Sequence, residues 1–88
     1  MSASIIIGFD FGTKKMGVAI AQTITNTATP MQAIKMVNGQ PKWNELDAII
    51  SDYKPNKAII GLPDSKNQQT IKLIEKIKIF SSTLEKKY

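Results

Sequence analysis

Apolar and polar positions alternate in blocks that predict six elements. Residues 4–10 carry the β-branched run Ile5-Ile6-Ile7. Continuous apolarity of this kind predicts a strand buried on both faces. Gly12-Thr13-Lys14-Lys15 follows as a turn, with glycine permitting the bend and lysines facing water. Residues 16–22 resume as a second strand, with Val18 and Ile20 on one face and Gly17 and Ala19 on the other. The short link between the two runs predicts a hairpin. Residues 23–29 are polar and threonine-rich and read as a loop. Residues 31–37 form a third strand that ends at Asn38-Gly39, a strong turn signal.

The second half changes period. Across residues 41–53, Trp43, Leu46, Ile49, Ile50 and Tyr53 recur three or four positions apart, which makes one apolar stripe on a helix. Lys54-Pro55-Asn56 ends it, because a residue before proline avoids the α region. Residues 57–61 hold the short apolar run Ala58-Ile59-Ile60, a buried strand, and Leu62-Pro63-Asp64 leaves it as a loop. Residues 67–86 read as a long helix with Ile71, Ile74, Ile77, Phe80 and Leu84 inward and lysines over the rest. Asn67 is placed to cap it. The resulting order is βββαβα in a single α/β domain over residues 1–88, without repeat or linker. A helix between two strands implies a parallel pairing with a right-handed crossover, hence a mixed sheet.

Composition narrows the chemistry. With 42% hydrophobic and 22% charged residues, the chain is an ordinary globular one, not a disordered one. It has neither cysteine nor histidine. Disulfides, thiolate metal sites, Ser-His-Asp catalysis and histidine bases are excluded within it. Any metal would be held by oxygen, which favours Mg2+ or Mn2+. All 12 basic residues are lysine, for a formal charge of +5. That balance suits attraction to phosphate backbones, or equally a solvated surface, since the lysines are spread along the chain. Without arginine, such contacts would be electrostatic and weakly sequence-specific. No apolar run reaches the roughly 18 residues that span a membrane. No basic region precedes the first apolar run either, so a cytoplasmic protein without membrane contact is expected.

The informative segment is Gly8-Phe9-Asp10-Phe11-Gly12-Thr13-Lys14-Lys15-Met16-Gly17-Val18-Ala19. It sets an aspartate deep in an apolar strand just before a glycine turn. A buried carboxylate needs a partner, and a divalent cation or the turn amides would each serve. The first makes Asp10 a metal ligand; the second makes it a structural acceptor. Gly12 lets a phosphate approach the main chain. Thr13 adds a hydroxyl and an amide, and Lys14 and Lys15 add charge. Gly61-Leu62-Pro63 puts a rigid loop at the carboxyl end of a buried strand, where α/β sheets commonly bind ligands. Alone, that motif equally marks a strand stopped by proline, and Asp64 equally a solvated cap. Trp43 and Phe80 lie on stripes and are expected in the core.

These two motifs in this order, with Pro30 and an apolar strand between them, resemble the YqgF-type RNase H-like proteins, described as pre-16S rRNA nucleases or Holliday junction resolvases. The resemblance runs from about Ile5 to Leu84. It implies an RNase H-like mixed sheet and two-metal phosphodiester hydrolysis with Mg2+ or Mn2+. Asp10 would be the first catalytic carboxylate and metal ligand. Gly12, Thr13, Lys14 and Lys15 would flank the substrate phosphate, and Gly61, Leu62 and Pro63 would border the site. The partner would be nucleic acid, an rRNA precursor or branched DNA, with processing of the pre-16S 5′ end in the cytoplasm. Family members are longer. The carboxy-terminal strand or strands and helix that carry the other metal ligands are not in this sequence, and the loop after Pro63 lacks the expected glycine. One carboxylate cannot build a two-metal site, so the chain is expected to be inactive alone, a truncated or degenerate product, or half of an intermolecular assembly, with an open sheet edge that invites a homodimer. Two other readings stay open: a fragment of the actin, Hsp70 and sugar-kinase superfamily that holds ATP phosphates on an Asp-x-Gly-Thr hairpin, and a non-catalytic dimerising module.

Overall fold

The computed structural model describes residues 4–63 and 67–88. The run Ile5–Phe11 forms β1 and Lys15–Gln22 forms β2. They pair antiparallel in one register, Ile5 with Gln22 through to Phe11 with Met16. Thr27–Pro30 is β3 and Ile34–Val37 is β4, and each pairs antiparallel with β2. Gln40–Pro41 is a short β5 paired with β4. Helix α1 spans Trp43–Tyr53, strand β6 spans Lys57–Ile60, and helix α2 spans Gln68–Lys87. Strand β6 lies parallel to β1 at one edge, so the sheet runs β5-β4-β2-β1-β6 with β3 alongside β2. The sheet is therefore mixed, and the fold is α/β.

Strand alternation decides where the core sits. Ile7, Phe9 and Phe11 on β1 point the same way as Met16, Val18 and Ile20 on β2 and Ile34 and Met36 on β4, and all are buried. Both helices cover this one face. Phe80 of α2 is completely buried. It meets Phe9 edge-on at 5.1 Å, Phe11 at 5.6 Å and stacked Trp43 of α1 at 5.3 Å. Aromatic pairs in such geometry each add about 0.5–1.5 kcal/mol beyond their burial. The α1 stripe behaves as its spacing predicts: Leu46 is fully buried, with Trp43, Ile49, Ile50 and Tyr53 packed around the core. The helix stops where Lys54 turns left-handed (φ 49°) and returns its amide to the Ile50 carbonyl at 2.8 Å. Asn67 caps α2 by accepting from the Thr70 amide at 2.9 Å.

Strand β6, read as buried, is exposed at Lys57, Ala58 and Ile59 and half-buried at Ile60, because it forms an edge of a sheet covered on one face. Four further expectations change. First, β1 is buried on one face, with Ile6 and Gly8 half-exposed and Asp10 exposed, because among the described residues no helix lies on the other side of the sheet. Second, part of the threonine-rich loop is strand β3. Its residues are all exposed, so a backbone ladder holds it and burial leaves no trace in its pattern. Third, Pro41 belongs to β5, opposite Met36, and the helix begins two residues later. The hairpin between β4 and β5 turns at Asn38 (φ 53°) and Gly39 (φ 81°), the left-handed pair of a tight two-residue turn. The order is accordingly βββββαβα. Fourth, Ile71 is 47% exposed, since the first turn of α2 runs outside the core that gathers round Ile77 and Phe80. Asp64 and the start of the chain, residues 1–3, lie outside the described residues. No described helix is long and apolar enough to cross a membrane.

Candidate functional site

The period of two that buries Phe9 and Phe11 turns the side chain between them to the uncovered face. Asp10 is thus exposed, not sunk in apolar surroundings as its neighbours suggested. Opposite it on β2 is Gly17. A side chain there would bring its first carbon within 3.3 Å of the Asp10 Cβ, so glycine keeps room around the carboxylate. Gly8, Ala19 and Ile59 continue the floor, and with Asp10 and Gly17 they line a shallow depression of about 390 Å³. Among the described residues the Asp10 carboxylate takes part in no hydrogen bond or ion pair. The turn amides do not engage it, which sets aside the structural-acceptor reading.

The second motif reaches the same end of the sheet. Gly61 donates its amide to the Phe9 carbonyl at 3.2 Å, one residue before Asp10. Because β1 and β6 are parallel, both chains leave the sheet together, and Leu62 and Pro63 extend beyond it into solvent. Gly12 serves the turn more than a ligand. A Cβ there would stand 2.5 Å from the Lys15 carbonyl oxygen, so the hairpin could not close over any larger residue. Thr13, Lys14 and Lys15 are exposed around that turn. They line a second, open depression of about 590 Å³ with Gln32, Ala33, Lys35 and Met36.

The structure therefore brings Asp10, Lys15 and Gly61 to one end of β1, β2 and β6. The sequence pattern did not single out Gly17 or Lys35. Gly17 was legible as the small residue facing away from Val18, but its pairing with Asp10 depends on register. Lys35 lies 20 positions beyond Lys15, and only the β2–β4 pairing makes them neighbours.

The sequence profile of the family described as RuvX: Holliday junction resolvase matches residues 4–88. The chain belongs to that family. A protein from Shewanella oneidensis named "Putative pre-16S rRNA nuclease" is 38% identical over 88 residues, covering 100% of this chain and 62% of the relative. A protein of the same name from Hydrogenovibrio crunogenus is 38% identical over 84 residues, covering 96% of this chain and 63% of the relative. One from Aeromonas hydrophila is 46% identical over 63 residues, 72% of this chain and 45% of the relative. The chain thus spans less than two thirds of the length of these relatives. The two motifs and the lysine-bearing turn lie within the matched residues.

A divalent ion can be tested against what the chain offers. Among the described residues no group of three or more carboxylates comes together. Asp10 alone does not fit a two-metal centre, which needs several bridging acids. It does fit a single Mg2+ or Mn2+ that keeps most of its water and takes one carboxylate plus substrate phosphate oxygens.

Proposed function

We propose that this chain supplies the first metal-binding carboxylate and the phosphate-facing turn of an RNase H-like, metal-dependent nuclease acting on structured nucleic acid, with the pre-16S rRNA 5′ end as substrate. The observation that carries the reading is the exposed Asp10, opposite a glycine at the carboxyl ends of two parallel strands, with lysines on the adjoining turn. The antiparallel β1–β2 hairpin flanked by parallel β6 supports the RNase H-like assignment. A bound Mg2+ or Mn2+ would polarise the scissile phosphate and lower the pKa of a coordinated water.

The chain's own residues do the rest. Asp10 holds the ion where the Gly8-Gly17-Ala19 floor lets a nucleic-acid backbone lie flat on the sheet. The Thr13 hydroxyl and the ammonium groups of Lys14 and Lys15 orient phosphate oxygens beside it. Gly61, Leu62 and Pro63 wall the opposite side. A complete two-metal centre needs acids beyond Asp10, from the remainder of a longer protein or from a partner. The open outer edge of β6, where Ile59 is 59% exposed, is the edge at which a second copy would add a strand.

The test is Mn2+ titration followed by paramagnetic broadening of amide resonances. Broadening centred on Asp10 and Gly17 is expected without nucleotide, and Asp10→Asn should abolish it. Equal broadening in the variant would remove Asp10 from the metal site. Broadening that requires ATP would instead favour the nucleotide-binding reading.

A further inference from the structure

Lys15 of β2 and Lys35 of β4 are direct cross-strand partners. Like charges set opposite one another on antiparallel strands destabilise the pairing, where an acid or a neutral residue would support it. The described residues offer no relief: the ion pair among them joins Lys87 to Asp47, on the helical side of the sheet. Both lysines are exposed, and both flank residues buried in the core, Met16 and Ile34, so alternation turns them to the uncovered face. Asp10 is on that same face. It faces Gly17, and Lys15 is the diagonal neighbour two residues before Gly17 on β2, about 7–8 Å away by Cα in strand geometry. One sheet surface therefore carries, in order across three strands, the carboxylate, the first lysine and the second lysine. Gln32 and Thr13 line the same depression as the two lysines and add uncharged hydrogen-bonding groups.

We infer that Lys15 and Lys35 together seat a phosphodiester next to the one presented to Asp10, so that a nucleic-acid strand crosses the sheet from β1 to β4. The inference rests on the nuclease reading and adds to it a backbone track and its direction, with Lys35 and Gln32 as new contacts. An anion between the two ammonium groups turns their repulsion into attraction, which accounts for two lysines kept in register. The contact is to phosphate, so it fixes the register of the strand and carries no base specificity.

The experiment is anisotropy of a fluorescein-labelled RNA hairpin with the full chain in EDTA, over a series of salt concentrations. EDTA removes any metal, so the outcome is independent of Asp10 chemistry. Lys35→Gln is expected to weaken binding and to reduce the slope of log K against log salt by roughly 0.7–0.9, the loss of one phosphate contact. Lys78→Gln, on α2 behind the sheet, should leave the slope within error. A Lys35→Gln slope equal to the unaltered chain would overturn the track, as would absence of RNA binding by the unaltered chain. Should Mn2+ fail to bind at Asp10 while the Lys35 slope falls, the metal reading is lost and the backbone track stands.

Discussion

Replacing Asp10 with asparagine separates a ligand-binding carboxylate from one that holds the hairpin together. Asparagine keeps the shape and removes the charge. In the structure Asp10 is exposed, and among the described residues its carboxylate has no hydrogen-bond or ion-pair partner. The nearest cation by register is Lys15, a diagonal neighbour at the surface, where such attraction is weak. The change should then behave as an ordinary surface substitution, within about 0.5 kcal/mol. For a domain of this size each kcal/mol moves the midpoint by roughly 4–8 °C, so Tm should shift by no more than about 2–4 °C. A carboxylate held by turn amides would be different. Hydrogen bonds to a charged group contribute about 1.5–3 kcal/mol, equivalent to a fall of roughly 6–24 °C. Thermal unfolding by circular dichroism at neutral pH distinguishes the two. A cooperative transition lowered by more than about 6 °C would refute the placement of Asp10 as an exposed acid without hydrogen-bonding partners.

Two further outcomes test the packing that positions the site. Phe80→Ala removes a fully buried ring that meets Phe9, Phe11 and Trp43. A loss of about 3–5 kcal/mol is expected, against a total of roughly 4–13 kcal/mol for 88 residues. The urea midpoint should fall by at least about a quarter, and a loss under about 1 kcal/mol would contradict this core. At the carboxyl end, the Tyr88 phenol donates to Asp47 and is pushed up from 10.0 to about 12 by desolvation and by that carboxylate. Tyr88 is 61% exposed, so the carboxylate is the cause we weigh more. A raised folded pKa means the stabilisation is complete below pH 10.0 and is lost as pH climbs towards about 12. In the acid range, the Tyr88 hydrogen bond and then Lys87 hold Asp47 below its ordinary 3.8, so its contribution is present above that pH and disappears as pH falls below it. Melting curves across both ranges should show both losses, and Tyr88→Phe should flatten the alkaline one. An unchanged alkaline limb in that variant would dismiss the contact.

Much was settled by the one-dimensional pattern. The period of two placed Val18 and Ile20 inward, the period near 3.6 placed Leu46 and Phe80 inward, and Asn38-Gly39, Lys54-Pro55 and Asn67 marked their turns and caps. These are local preferences, set by residues a few positions apart, so they are readable without knowing what packs where. The two motifs that carry the family likeness are equally local.

Tertiary structure decided what local pattern could not express. Whether Asp10 was buried depended on which face of β1 the helices cover, and both cover the face of Phe9 and Phe11. The exposed strand β3 is held by main-chain hydrogen bonds to β2, which leave no mark in side-chain type. Gly17 gained its place opposite Asp10, and Lys35 its place opposite Lys15, only when strands distant in sequence paired in a particular register. Side-chain chemistry is written along the chain; the meeting of two side chains across a sheet is a property of strand pairing, which depends on the whole fold.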